Sequence, residues 1–181
     1  FYLKMSKNDF KVPDFKKLAK EVTEAIYIVS EVEAIAFFKS SFDKGGFTDR
    51  NFQKWDDRVS PDYRPGGKLL NATGFLKDSI ETADKGSNYI TFGSYAPYAK
   101  IHNEGGIIHV PVTQRMRKYF WAMFKKTNDN KWKYMALTKK DSITLKFPQR
   151  KFMGESAALM SNLDKELKRI IFEKFKKMPN Q

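Results

Sequence analysis

Two histidines and a carboxylate fall close together in mid-chain: His102, Glu104 and His109. Imidazole and carboxylate are ligand types of a zinc centre, and a histidine that changes charge near neutral pH is the commonest general base. The surrounding pattern argues against both chemistries. Cysteine is absent, which excludes thiolate ligation and disulfides. The two histidines do not share the i, i+4 spacing of a paired metal-binding helix, no second carboxylate cluster accompanies them, and no Gly-rich phosphate loop follows a strand. The reading preferred for His102 is structural: it hydrogen-bonds backbone and fixes the turn into Gly105-Gly106. No catalytic residue, metal or cofactor is expected.

The charged residues are more informative. The chain carries a net charge of +13. Residues 107–153 hold twelve Lys or Arg against only Asp129 and Asp141, a net +10. A field of that kind attracts acidic partners, nucleic acid or protein. The residues that would form such a surface are Arg115, Arg117, Lys118, Lys125, Lys126, Lys131, Trp132, Lys133, Tyr134, Lys139 and Lys140. Three readings stand beside one another: nucleic-acid binding by phosphate contact and stacking, an interface with another protein subunit, and a solvated edge whose lysines block aggregation.

The elements that must position these residues can be read from periodicity. Asp14 is an N-cap for a long helix that Gly45-Gly46 ends. Leu18, Val22, Ala25, Ile26, Val29, Val32 and Ala36 recur at helical spacing and are expected to face the core, with Glu21, Glu24, Glu31 and Glu33 mostly off that face. Ile28, Ile35 and Phe42 add a second apolar stripe, part of which is a candidate subunit contact. Residues 47–69 read as a long loop pinned by Trp55. A central hairpin is expected from strands at 75–83 and 89–95, with Ile90 and Phe92 toward the long helix. A short helical turn follows at 97–103, with Tyr98, Ala99 and Ile101 inward. Gly74 and Gly93 mark a bend or a close backbone approach. Thr113 caps a basic helix at 114–126, in which Met116, Tyr119 or Phe120, and Met123 share a face. Residues 131–137 and 142–147 read as a second hairpin, after a short extended piece at 109–112. Arg150 is expected to fix the fold by bonding loop carbonyls or a carboxylate. A closing helix at 154–177 carries Leu159, Leu163, Leu167, Ile170, Ile171 and Phe175, and ends at Pro179.

The expected class is α+β: a mostly antiparallel β-sheet packed against a long N-terminal helix and a C-terminal helix, in a single domain of residues 1–181. Residues 1–12 form a flexible arm, and 107–147 a basic aromatic excursion. No apolar run reaches membrane-spanning length. The first residues lack the apolar region of a signal peptide, and a start at Phe1 suggests a fragment or a processed chain.

One set of spacings resembles a known family. Ala72-Thr73-Gly74-Phe75-Leu76, then Ser79-Ile80, Thr91-Phe92-Gly93-Ser94, and Tyr98-Ala99 with Ile101-His102-Asn103 and Gly105-Gly106 resemble the phage virion morphogenesis family. The aromatic stretch 55–63 precedes them. Pro148-Gln149-Arg150-Lys151-Phe152-Met153-Gly154 follows, similar to that family's P-x-R-x-F-hydrophobic-G segment. The resemblance spans roughly residues 40–160. It implies a non-enzymatic assembly protein of a phage or prophage, acting in tail completion or head–tail joining. It would dock onto other tail or neck proteins and form a homo-oligomeric ring, first in the host cytoplasm and then in the virion. The residues it marks as fold-defining are Thr73, Gly74, Leu76, Ser79, Gly93, Tyr98, Ala99, His102, Gly105, Gly106, Arg150 and Phe152. In the resembled family the histidine belongs to the loop after the short helix, not to an active site. The alternative is a nucleic-acid-binding module using residues 107–153.

Overall fold

The computed structural model describes residues 14–58 and 64–176. The N-terminal arm, Pro61, Tyr63, Lys177 and Pro179 lie outside the described residues. The fold is α+β. The chain forms two compact units: one runs up to Ala99 and resumes at Arg150, and the other is Lys100–Gln149. The strands make three separate antiparallel pairs, not one continuous sheet.

Unit 1 is organised by α1 (Phe15–Lys44). Asp14 accepts from the Lys17 amide, and Gly45 takes the left-handed conformation, φ 68°, that ends the helix. The core face differs from the expected one. Ala34, Phe38, Ser41 and Phe42 are buried, while Ile28 and Val32 are 61% and 60% exposed and Ala36 is exposed. At ~100° per residue, Phe38 and Ala36 project to nearly opposite sides of the helix. Both apolar stripes are real, but only the last three turns reach the core. The earlier turns lie outside that core and pack mainly on α6 (Ala157–Lys176), because a helix of ~45 Å outruns a core of this size. Glu31, expected off the packed face, bonds β3 (Ile80–Lys85) through Thr82 at 2.7 Å and Lys85 at 3.3 Å.

The C-terminal half of α1 buries an aromatic cluster. Phe42 meets Trp55 and Phe152 at ring distances of 5.7 and 5.0 Å. Phe38 meets Phe92 of β4 (Ile90–Ser94) edge-on, so the β3–β4 hairpin does face the long helix. A register shift between Thr82 and Asp84 bends this hairpin. Its first strand starts later than expected, since Phe75–Asp78 forms a short helix, α2. Gly74 begins α2 with φ 84°, and Ser79 closes it by bonding the Leu76 carbonyl at 2.7 Å.

The stretch 47–69 is not simply a loop. It contributes to a second pair, β1 (Gly46–Thr48) with β2 (Phe52–Lys54). The turn between them helps to cap α6: Asp49 Oδ1 accepts from the Ala157 amide at 2.7 Å, while Ser156, directly before the helix, accepts through Oγ from the Leu159 amide at 3.1 Å. This is why α6 starts at Ala157 and not at Gly154. Leu159 and Ile170 of its expected stripe are buried, but Ile171 and Phe175 are exposed.

Unit 2 holds most of α3 (Ala99–Glu104), then β5 (Gly106–Pro111), α4 (Gln114–Thr127), α5 (Asn130–Ala136) and β6 (Ser142–Phe147). The expected hairpin of 131–137 with 142–147 does not form. Residues 130–136 are helical, capped by Asp129, and β6 pairs with β5 from Gly106↔Phe147 to Pro111↔Ser142. The alternation of Lys131, Trp132, Lys133 and Tyr134 resembles a strand. A helix instead directs Trp132 onto Phe120 and Tyr119 of α4, at 5.9 and 6.1 Å, and the cap satisfies the Lys131 amide. Tertiary packing therefore overrides the local pattern.

Candidate interaction surfaces

His102, Glu104 and His109 are not assembled into a site. His102 on α3 meets Phe147 edge-on at 5.7 Å. Glu104 is exposed at the end of α3. His109 lies on β5, its Nδ1 3.1 Å from Thr144 Oγ1 across the strand pair. Among the described residues no three His, Asp or Glu side chains gather as a metal would require.

The motif residues occupy backbone joints and the core. Thr73 Oγ1 accepts from the Phe75 amide as α2 begins, and Leu76 is buried. Ser79 is fully buried, with its hydroxyl 2.6 Å from that of Ser94, and this ties the entry of β3 to the end of β4. Gly93 pairs with Glu81 just before the bend. Ala99 is buried, but Tyr98, expected inward, is exposed. Gly105 has φ 71°, and a Cβ there would lie 2.8 Å from the Gln149 amide nitrogen, so the turn into β5 needs glycine twice over. Gly106 follows with φ 139°. Phe152 is wholly buried.

Arg150 does what its shape predicts. Nε and Nη2 donate to the Asp56 carbonyl at 3.2 and 2.9 Å, and Nη2 also reaches the Asp57 carbonyl at 3.4 Å. Burial lowers its pKa from the ordinary arginine value, opposed by nearby Asp56. Beside it, Trp55 Nε1 donates to the Lys151 carbonyl at 2.7 Å, so Trp55 pins the chain as expected. A related clamp was not legible: Arg58 donates to the carbonyls of Arg64, Gly67 and Lys68.

The basic residues divide into two groups. Arg117 is partly buried, and its Nη1 donates to the carbonyls of Ala136 and Thr138 at 2.8 and 2.7 Å. It fixes the exit of α5 and is not part of a surface for ligands. Trp132 is likewise committed to the α4–α5 contact. Arg115, Lys118, Lys125, Lys126, Lys131, Lys133, Lys139 and Lys140 are exposed, as is Tyr134.

Unit 1 presents apolar surface of its own. Ile28 and Val32 make a strip on α1 beside a notch between α1 and α6 that Ala25, Val29 and Ile170 also line. Phe75, Tyr95 and Tyr98 form an exposed aromatic trio, with Phe75 5.6 Å from Tyr95 and 6.2 Å from Tyr98. A wide cleft of about 1350 Å³ opens between α1, β4 and α6, lined in part by Ile26, Tyr27, Phe92 and Leu163. No helix of the described residues is long and apolar enough to cross a membrane. Comparison with protein-family models, with curated proteins and with solved structures finds no match to this chain.

Proposed function

We propose that this chain is a non-enzymatic assembly protein of a tailed phage or prophage, acting in tail completion or head–tail joining. It works by self-association and by docking onto other tail or neck proteins, in the host cytoplasm and then in the virion. The ordered resemblance of residues 40–160 to the virion morphogenesis family suggests the class. The observation that carries the proposal is the apolar strip of Ile28 and Val32 on α1, more than half exposed on a helix that is rigidly capped at both ends. Large apolar side chains held out on a stiff element form the surface by which one subunit takes another. A ring needs such a patch to meet a different surface on the next copy. The motif residues fit the same role, since they shape turns and core and so hold the strip, the aromatic trio and the cleft in place.

The test is genetic and microscopic. Disrupting the gene in the element that encodes it should leave filled heads and separate tails in electron micrographs, and supplying the chain in trans should restore joined particles. Normal particles from the disrupted element would reject the proposal. So would coding neighbours that include no capsid, portal or tail gene.

A further inference from the structure

Unit 2 carries eleven Lys or Arg against Glu104, Asp129 and Asp141, a net +8 of the chain's +13. Its charges are also used differently. In unit 1, several lysines and arginines pair with carboxylates: Lys77 with Asp43, Lys85 with Glu31, Lys174 with Glu21, and Arg169 with Glu166 and Glu173. Among the described residues, none of the exposed basic side chains of α4, α5 or the α5–β6 turn takes part in such a pair. A surface left this positive without internal compensation suits an external polyanion.

The same surface has a shaped recess. A cleft of about 560 Å³ lies between α5 and β6, with Lys131, Tyr134, Met135 and Lys140 on its walls. Lys131, Tyr134 and Met135 share one face of α5 by their i, i+3, i+4 spacing. Arg117 holds the carbonyl of Thr138, which also lines the cleft, and that of the neighbouring Ala136. Tyr134 is 70% exposed, so its ring is largely uncovered. A phenol ring standing among lysines is the arrangement that receives an unpaired base while the ammonium groups follow its phosphates.

We propose that the α5–β6 cleft of unit 2 binds single-stranded nucleic acid, with Lys131 and Lys140 on phosphates and Tyr134 stacked on a base. This goes beyond the assembly role and does not depend on it.

The test is fluorescence anisotropy of the full chain with a labelled oligothymidylate, and with a duplex of the same length. The expected result is binding that falls by about sevenfold or more between about 50 and 200 mM salt, the loss that two single-strand phosphate contacts imply. K131E/K140E should weaken binding at least about tenfold, whereas K16E/K165E, the same charge change on unit 1, should not. Tyr134→Ala should weaken binding to the single strand by about tenfold and leave duplex binding unchanged. All these side chains are exposed, and circular dichroism checks that the variants fold. The proposal is overturned by absence of binding at low salt, by equal losses in the two charge variants, or by an unaltered affinity of Tyr134→Ala.

Discussion

At the scale of single residues, the firmest holds are side chains that bond backbone far away in sequence. Arg150 sits in the core with Nε and Nη2 both on the Asp56 carbonyl and Nη2 also on that of Asp57, a planar two-nitrogen grip that a lysine ammonium lacks. Charged-donor bonds to buried carbonyls are worth about 1.5–3 kcal/mol, so Arg150→Lys should lower stability by about that amount in urea unfolding. A loss under ~0.5 kcal/mol would show that the clamp is dispensable. Glu31 makes a pH-dependent hold. The Thr82 hydroxyl first, and then Lys85, keep its carboxyl below the ordinary value of 4.5. A carboxylate with a depressed folded pKa gives stability that is fully present above the ordinary value and is lost as pH falls through the folded one. Glu31→Gln should therefore be destabilising at neutral pH, and the gap from the parent should close as the medium is acidified below 4.5. Thermal melts across that range test it, and a gap independent of pH would rule out the charge as the cause. Asp43, held down chiefly by Lys77, should behave in the same direction.

At the scale of elements, caps decide where helices begin, and the capping groups come from near and far. Asp14 and Thr113 cap from within their own segments and could be read in the sequence, whereas Asp129, equally local, caps a stretch whose alternation reads as a strand. α6 has a local cap in Ser156, but its second capping group could not be read, because Asp49 reaches the Ala157 amide across 108 residues from the β1–β2 turn. Asp49→Ala should destabilise unit 1 by about 1 kcal/mol, and combining it with Ser156→Ala should add less than the sum, since both serve one helix end. Full additivity in denaturant unfolding would mean that the two act on separate features. The same contrast between local and distant causes explains what was legible. The long helix, the β3–β4 hairpin, the basic helix and the Arg150 clamp have signals inside their own residues. Which face of α1 is buried depends on where its partners stop, which no stripe of apolar residues states. Residues 130–136 alternate like a strand, yet Trp132 gains a bed of Tyr119 and Phe120 only when they coil. The candidate surfaces follow this rule too. Lysine content was visible from composition, but the loss of Arg117 and Trp132 to structural duty, and the cleft beside Tyr134, exist only after α5 and β6 are placed.

At the scale of the whole molecule, the chain separates its tasks. Unit 1 holds the aromatic core, pairs several of its basic side chains with carboxylates and displays the Ile28–Val32 strip; unit 2 has a small core and carries most of the net positive charge. Two kinds of surface predict two kinds of association with opposite responses to salt. Contacts through Ile28 and Val32 bury hydrocarbon, which salting-out anions strengthen, whereas contacts through the lysines of unit 2 weaken as counterions screen them. If the α1 strip drives self-association, the weight-average mass in sedimentation should rise with protein concentration and persist, or increase, in sulfate. Val32→Asp places a charge where the partner must exclude water, and should return the chain to monomer at concentrations where the parent associates. The side chain is exposed in the isolated chain, so the folded subunit should be nearly unchanged in stability. K131E/K140E should leave the mass unaltered. An assembly that survives Val32→Asp but dissolves in salt would move the subunit contact from α1 to the basic face of unit 2.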